Sequence, residues 1–245
     1  MYKRQAVSDL AGAKVDVLVT APINKKNIQA QGFDFPGHTE FLTSYSNVDD
    51  SLMFMVYNDL RVGVATNHVP LNEVPKHLTK EVILSKLKLM NQSLIRDFSI
   101  PKPRIAVLGL NPHAGENGVL GSEESDVIIP AIDLASKEGV LAYGPYASDG
   151  LFGSGNFKTF DGVLAMYHDQ GLTPFKAMAG GEGVNFTAGL PIVRTSPDHG
   201  TAFEIAGKNE ASPESFRRAI YLAVDVLRSR RNHKEMNANP LTFKK

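Results

Sequence analysis

Residues 161–176, DGVLAMYHDQGLTPFK, predict an α/β fold, because a short apolar run passes directly into a polar segment. Residues 162–166 have the apolar character of a strand that is covered on both faces. His168 follows this strand at once, and Gly171 then predicts a sharp turn. In open α/β sheets, ligands bind outside the carboxyl ends of the strands, so His168 is a candidate functional residue.

Two further apolar runs end in the same way. Residues 62–66 lead to His68, and residues 105–110 lead to His113. A lone histidine at such a position often only satisfies a backbone carbonyl, but three of them repeat one arrangement. Imidazole is the commonest metal ligand, and three imidazoles leave coordination positions open for a substrate. We therefore predict a catalytic metal site formed by His68, His113 and His168.

Composition limits the classes of function. The chain has 245 residues, with 26 Lys and Arg against 26 Asp and Glu, and no cysteine. A net charge near zero gives no broad electrostatic reason to expect nucleic acid or an anionic membrane as a partner. The absence of cysteine excludes disulfides and thiol catalysis. We expect a globular, cytoplasmic protein.

Strand-like and helix-like segments alternate along the chain. A strand is predicted at 15–20, a hairpin at 52–57 and 61–66, and a long helix at 79–98. The last helix is predicted at 212–229 and is followed by a basic, solvated tail. Further predicted elements are strands at 140–143, 184–187 and 190–195, and helices at 6–11, 125–136 and from about 24 to 30, the last ended by Gly32.

The apolar residues Phe216, Ile220, Val224 and Leu227 lie on one face of the predicted last helix.

Other residues suggest a small-molecule site. His38 and Thr39 lie at the start of a predicted helix that runs to Tyr45, with Thr39 as its N-cap. The pair could bind a phosphate or a carboxylate. Taken alone, however, it is more typical of an ordinary helix cap. Arg194 lies in an apolar strand, where a buried charge needs an anion or a carboxylate. Asp149 is either a general acid/base or the residue of an Asx-turn. A G-x-G-x-x-G nucleotide fingerprint is absent.

Longer motifs resemble those of one enzyme family. They are VTAPINK (19–25), GHTEF (37–41), NPHAGE (111–116), MYHDQGLTPFK (166–176), GVNFTAGLPIVRTSPDHGTA (183–202) and IAGK (205–208). Together they resemble the 4-hydroxythreonine-4-phosphate dehydrogenases of pyridoxal phosphate biosynthesis over nearly the whole chain. The resemblance implies a three-layer α/β/α fold like that of isocitrate and isopropylmalate dehydrogenases, with two domains and the active site in the cleft between them.

The resemblance also implies domain limits. Residues 1–37 and 181–245 would belong to the cofactor domain, and residues 38–180 to the metal, substrate and dimerisation domain. Family members carry a further N-terminal segment with a GDPxGIGPE-like stretch, so we expect the cofactor domain to be incomplete here.

Site roles follow from the same resemblance. The metal ligands would be His68, His113 and His168, contributed by two subunits of a homodimer, and the metal would be Zn, Mg or Co. The substrate would contact His38, Thr39, Lys176, Asn185 and Arg194. NAD or NADP would contact Asp198, His199, Gly200, Thr201, Glu204 and Lys208. Asp149 or Lys176 would transfer the proton.

The implied reaction is NAD-dependent oxidation of 4-phosphooxy-L-threonine, followed by decarboxylation to 3-amino-2-oxopropyl phosphate. One alternative is a related dehydrogenase that acts on 4-phosphoerythronate, phosphothreonate or a dihydrodiol. A second alternative is an inactive, metal-binding fragment.

Overall fold

One mixed sheet forms the centre of the protein. The computed structural model describes residues 2–24, 27–28, 35 and 37–240. In this part of the chain the sheet has eight strands in the order β1-β8-β7-β2-β3-β6-β4-β5. The strands are β1 Leu18–Val19, β2 Leu52–Tyr57, β3 Leu60–Thr66, β4 Arg104–Leu108, β5 Leu141–Tyr146, β6 Gly162–Tyr167, β7 Val184–Ala188 and β8 Arg194–Pro197.

Helices connect and cover these strands. They are α1 Tyr2–Ala11, α2 His38–Tyr45, α3 Val74–His77, α4 Lys80–Phe98, α5 Ile129–Lys137, α6 Ser148–Gly153, α7 His168–Ala179 and α8 Glu214–Met236. A π-helical turn, Glu124–Ile128, leads into α5. Among the helices of the described residues, none has the length and apolar character needed to cross a bilayer.

The sheet is covered on both faces, as a three-layer fold requires. Successive residues of β2 show this: Phe54 packs into a core with α4, α5 and α8, whereas Met55 packs into a second core with α7. Both side chains are fully buried. The α/β class that the sequence predicts is therefore confirmed. The strands of both predicted domains lie in one continuous sheet, and the proposed domain limits at residues 37 and 180 stay a prediction.

The predicted hairpin and the long helix agree with the structure. β2 and β3 pair antiparallel, with Tyr57 opposite Leu60 across the turn. The hydroxyl of Thr79 accepts a hydrogen bond from the N–H of Val82, so Thr79 caps α4. This cap satisfies one of the amide groups that the first helical turn leaves unpaired.

The segment after β6 is a helix and not the predicted turn. α7 begins at His168, and Gly171 lies within it. A Cβ atom at Gly171 would lie 2.9 Å from Ala165 and 2.9 Å from Val62. Gly171 therefore allows α7 to pack closely on the sheet, a role that its place in the sequence did not reveal.

The face of the last helix that packs on the sheet is not the one that carries Phe216 and Ile220. α8 turns small residues such as Ala219 and Ala223 toward the sheet, and both are fully buried. Phe216 and Ile220 remain 37% and 42% exposed. Small side chains let the helix axis approach the strands, so close packing and not side-chain size selected the face.

Three other predicted boundaries are corrected. Thr39 lies inside α2, whose N-cap is Gly37, so Thr39 is not the capping residue. The predicted strand at 190–195 begins only at Arg194, because Pro191 has no N–H for the sheet and lies in a bend. Only Leu18 and Val19 of the predicted first strand pair with β8. The predicted helix to residue 30 and its end at Gly32 fall largely outside the described residues.

A buried ion-pair network joins α4 to α8. The carboxylate of Asp97 is fully buried and accepts hydrogen bonds from Nε of Arg96 and Nε of Arg230, both at 2.7 Å. Ser93 donates a further bond at 2.8 Å. The predicted solvated tail is thus wrong at its start, since Arg230 is an anchor and α8 continues to Met236.

The network changes the acidity of Asp97. Burial favours its neutral form, but the hydrogen bonds from Arg96 and Arg230 outweigh burial and hold the pKa of Asp97 below its ordinary value. A carboxyl group whose pKa is lowered by folding stabilises the native state above its unfolded-state pKa, and the stabilisation is lost as the pH falls through the native pKa.

We expect Asp97→Asn to lower the free energy of unfolding by about 3 kcal/mol at pH 7, because it leaves the partly buried Arg96 and Arg230 without their counter-charge. Urea denaturation measures this difference. The gap to the unmodified chain should narrow below about pH 4, where the carboxyl group of the unfolded chain becomes protonated. Asp225→Asn, at an exposed position on α8, is the matched control and should change stability little. An equal loss in both variants would contradict the role of the network.

Candidate active site

Three parallel strands bring the predicted histidines to one edge of the sheet. β6 pairs in parallel with β3 on one side and with β4 on the other. Thr66 and Tyr167, the last residues of β3 and β6, lie opposite each other. His68 follows Thr66 by two residues, and His168 follows Tyr167 directly. The same edge receives the turn after β4 that carries His113.

His68 and His168 form a pair of imidazoles. Their ring centroids lie 6.1 Å apart, with 36° between the ring planes. Nδ1 of His68 lies 3.6 Å from Oε1 of Glu40, and Nδ1 of His168 lies 2.6 Å from Oδ1 of Asp169. A carboxylate hydrogen-bonded to one ring nitrogen, as Asp169 is to His168, fixes the tautomer and makes the other nitrogen a better metal ligand. The donor set of this pair therefore fits a divalent metal.

His113 lies in a neighbouring cavity of about 660 Å³, which Asp149, Tyr167 and Asp169 also line. Within the described residues of one chain, no three His, Cys, Asp or Glu side chains are close enough together to hold a metal ion. The structure thus brings together two of the three predicted ligands. Completion of the site by a second subunit stays a prediction.

A cavity of about 310 Å³ lies between α2, α7 and the end of the sheet formed by β7 and β8. It brings together many residues that are distant in the sequence. Those among the predicted site residues are His38, Thr39, His68, His168, Lys176, Asn185, Arg194, Asp198, His199 and Gly200. All five predicted substrate contacts therefore line one cavity.

Arg194 is the most deeply buried charge of this cavity, with 4% exposure. Its Nε and one terminal nitrogen donate to the hydroxyl of Thr20 at 3.1 and 2.8 Å, and the other terminal nitrogen donates to Thr187 at 3.2 Å. Within the described residues, its hydrogen-bond partners are thus neutral hydroxyls. Burial lowers the pKa of Arg194 to about 10, although the charge of Glu40 opposes this change. Arg194 remains a cation at neutral pH.

Polar groups near Arg194 complete the lining. Oδ1 of Asn185 is buried and makes no hydrogen bond to any residue that the structure describes. Such an atom is costly unless a ligand or water donates to it. Nζ of Lys176 lies 3.2 Å from Oδ1 of Asp198. Burial raises the pKa of Asp198, and the nearby Lys176 charge opposes that rise.

The predicted cofactor residues separate into two groups. Asp198, His199 and Gly200 line the cavity. Thr201, Glu204 and Lys208 lie beyond it on an exposed segment that contains the short 3-10 turn Phe203–Ile205. Asp149, predicted in a loop, lies in the first turn of α6 and faces the cavity of His113.

Several residues of the site were missed from the sequence. Glu40 and His68 are 28 positions apart in the sequence, and no local pattern predicts that they approach each other. Asp169 follows His168 directly, so this dipeptide was a usable signal for a carboxylate–histidine pair. Gln170 accepts from the N–H of Met166 at 2.7 Å and donates to the carbonyl of Gly109 at 2.6 Å.

Sequence comparison places the chain among known proteins. The model of the family described as "Pyridoxal phosphate biosynthetic protein PdxA" matches residues 1–223. The chain is 54% identical over 238 residues to a 4-hydroxythreonine-4-phosphate dehydrogenase of Bacteroides thetaiotaomicron, which covers 97% of this chain and 65% of that protein. It is 47% identical to the protein of the same name from Aquifex aeolicus, covering 92% of this chain and 70% of that one. The chain thus spans about two thirds of the length of these relatives.

Comparison with solved structures also finds similarity to 4-hydroxythreonine-4-phosphate dehydrogenases. The crystal structure of 4-hydroxythreonine-4-phosphate dehydrogenase from Klebsiella pneumoniae superposes with a TM-score of 0.81 at 39% identity, over 91% of this chain and 68% of that one. A terephthalate 1,2-cis-dihydrodiol dehydrogenase from Burkholderia xenovorans superposes with a TM-score of 0.70 at 27% identity, over 91% of this chain and 71% of that one. On the extent of these matches, the chain belongs to the family of the pyridoxal phosphate biosynthetic protein PdxA.

Proposed function

We propose that this chain acts in pyridoxal phosphate biosynthesis as an NAD-dependent and metal-dependent 4-hydroxythreonine-4-phosphate dehydrogenase. In this reaction 4-phosphooxy-L-threonine is oxidised to 2-amino-3-oxo-4-phosphooxybutanoate, which then loses carbon dioxide to give 3-amino-2-oxopropyl phosphate. The relatives that share this name support the proposal. We further propose that the active form is a homodimer in the cytoplasm.

The observation that carries the proposal is the environment of Arg194. A buried guanidinium whose described partners are hydroxyls keeps N–H donors available for an anion. Lys176 adds a second positive charge at the same cavity. A substrate with a phosphate and a carboxylate supplies an anion for the available N–H donors of Arg194 and a second anion for Lys176.

The histidines support metal dependence. His68 and His168 would hold the ion through the ring nitrogens that face away from their carboxylate partners, and His113 of a second subunit would complete the set. A divalent metal held by these residues would supply Lewis-acid polarisation of the substrate hydroxyl, and NAD would be the hydride acceptor. The proposal includes NAD or NADP as the hydride acceptor and Zn, Mg or Co as the metal.

The residues of the chain would align the substrate. Arg194 and Lys176 bind its anionic ends, and the Oδ1 atom of Asn185 accepts a hydrogen bond from its ammonium group. Fixing both ends places the secondary alcohol beside the histidine pair, which turns binding energy into alignment. His38 and Thr39, at the start of α2, complete the contacts.

The hydroxyl proton needs an acceptor, and two groups are candidates. The ammonium group of Lys176 lies 3.2 Å from the carboxylate of Asp198 at the edge of the cavity, which suits it to binding an anion and not to accepting a proton. Asp149 is exposed and lies beside His113. We therefore propose Asp149, brought to the substrate together with His113 by the second subunit, as the proton acceptor.

The similarity to a dihydrodiol dehydrogenase supports a second candidate function within the same fold. Such a substrate carries a vicinal diol in place of the phosphorylated chain. A panel containing 4-phosphooxy-L-threonine, 4-phosphoerythronate and a carboxylated dihydrodiol, assayed by NADH absorbance, distinguishes these functions. Activity with none of them would favour a metal-binding fragment.

We expect His113→Ala to abolish binding of Co²⁺, measured by isothermal titration calorimetry, and with it NADH formation. The physical reason is the loss of one of three ligands of the ion. His77→Ala is the matched control, because His77 is an exposed histidine on α3. Retained metal binding and turnover in His113→Ala would refute its assignment as a ligand.

We expect Arg194→Met to raise the KM for the phosphorylated substrate by about 10-fold to 100-fold, since charge-assisted hydrogen bonds contribute about 1.5–3 kcal/mol. Steady-state kinetics and thermal unfolding are measured together. The unfolding temperature of the Arg194→Met protein should stay the same or rise, because the substitution removes a buried charge. Arg228→Met, at an exposed position on α8, is the control. An unchanged KM in a folded Arg194→Met protein would remove Arg194 from the substrate site.

A further inference from the structure

The turn that carries His113 has an unusual backbone. Residues His113, Ala114, Gly115, Glu116 and Asn117 have φ values of 53°, 51°, 78°, 43° and 55°. Only glycine adopts this left-handed region readily, and non-glycine residues visit it as single residues rather than in runs. The surrounding structure must therefore hold the turn in place.

A buried carboxylate holds the beginning of this turn. Glu124 is 4% exposed. Its Oε1 accepts hydrogen bonds from the N–H of Leu110 at 2.7 Å and from the N–H of Asn111 at 2.8 Å. Its Oε2 accepts a bond from Nδ2 of Asn111 at 3.0 Å. All three bonds go to the two residues that enter the turn, so Glu124 fixes the direction in which the chain leaves β4.

The packing around Glu124 is equally close. A Cβ atom at Gly115 would lie 2.5 Å from Oε2 of Glu124, and one at Gly109 would lie 3.0 Å from Oε1. The carboxylate thus occupies the inside of the turn, with backbone against it on two sides. The carbonyl of Gly109 also accepts from Gln170, which ties the same turn to the helix that begins at His168.

We propose that Glu124 is a positioning residue for the metal site, which acts by holding the strained turn so that His113 faces its cavity. The proposal rests on the proposed function in that His113 is taken as a metal ligand. Glu124 itself does not contact the ion or the substrate. Its effect passes through the backbone of Leu110 and Asn111.

The test uses Glu124→Gln, which keeps the size of the side chain. The glutamine oxygen can still accept from the two backbone amides, but its NH₂ group then faces the NH₂ group of Asn111. Asn111 cannot simply reverse its amide, because the same Nδ2 donates to Glu123 at 2.8 Å. We expect the Kd for Co²⁺ to rise about 10-fold, the usual effect of losing a group that orients a ligand. The visible absorption of bound Co²⁺, which reports ligand geometry, should change as well.

A second measurement does not involve the metal. Hydrogen exchange of the Leu110 and Asn111 amides should accelerate in Glu124→Ala, relative to amides of the β3–β6 ladder in the same protein. Asn111→Ala removes the bonds of Nδ2 to Glu123 and Glu124 but keeps both backbone bonds to Glu124. It should weaken Co²⁺ binding, and it serves as the test if the Glu124 variants do not fold. Glu116→Gln is the control, because it removes a charge from an exposed position in the same turn and should leave Co²⁺ affinity within about 2-fold.

The outcomes separate this inference from the proposed function. If the unmodified chain binds no Co²⁺, the metal assignment fails, and the inference with it. If the unmodified chain binds Co²⁺ and the folded Glu124→Gln protein binds it with the same Kd and spectrum, Glu124 is only structural and the inference alone is overturned. Lower affinity with an altered spectrum, beside an unaffected Glu116→Gln protein, supports it.

Discussion

The parallel pairing of β6 with both β3 and β4 is the constraint on which the site depends. Parallel strands share the direction of their carboxyl ends, so segments that leave these three strands must emerge at one edge of the sheet. The hydroxyl of Thr66 donates to the carbonyl of Met166 at 2.7 Å, and Gln170 bridges Met166 and Gly109 at the same edge. These contacts fix the ends of the strands relative to one another, and the histidine-bearing segments begin there.

The second feature of the site is a cavity whose most deeply buried charge, Arg194, donates hydrogen bonds only to hydroxyls among the described residues. Burial of the Arg194 guanidinium carries a desolvation penalty. Its hydrogen bonds to the hydroxyls of Thr20 and Thr187 offset only part of that free energy. A stable core would be served better by an apolar residue at this position. A charge kept at such cost is typical of sites that bind ligands, and the buried amide oxygen of Asn185 points to the same conclusion. The neighbouring histidine pair adds imidazole nitrogens to the same cavity, so one small molecule can contact the guanidinium of Arg194 and the imidazoles together.

Local sequence patterns predicted several elements correctly because their causes are local. The turn between β2 and β3 follows from Asn58 and Asp59, and the start of α4 follows from the capping hydroxyl of Thr79. Patterns are insufficient where packing selects among equally possible faces. The large apolar residues of α8 remain partly exposed, while Ala219 and Ala223 meet the sheet. Similarly, Arg230 was assigned to a solvated tail, because its partner Asp97 lies 133 positions away.

The sequence by itself determined the α/β class, the three histidines after apolar strands and the family motifs, since strand periodicity and short motifs are encoded by neighbouring residues. Only the tertiary structure decided which side chains meet. Glu40 reaches His68, Asp198 reaches Lys176, and Glu124 fills the turn of His113, each through contacts between distant segments. Such contacts depend on how the strands are ordered in the sheet and how closely the helices approach it, and these are properties of the folded chain that no local pattern contains.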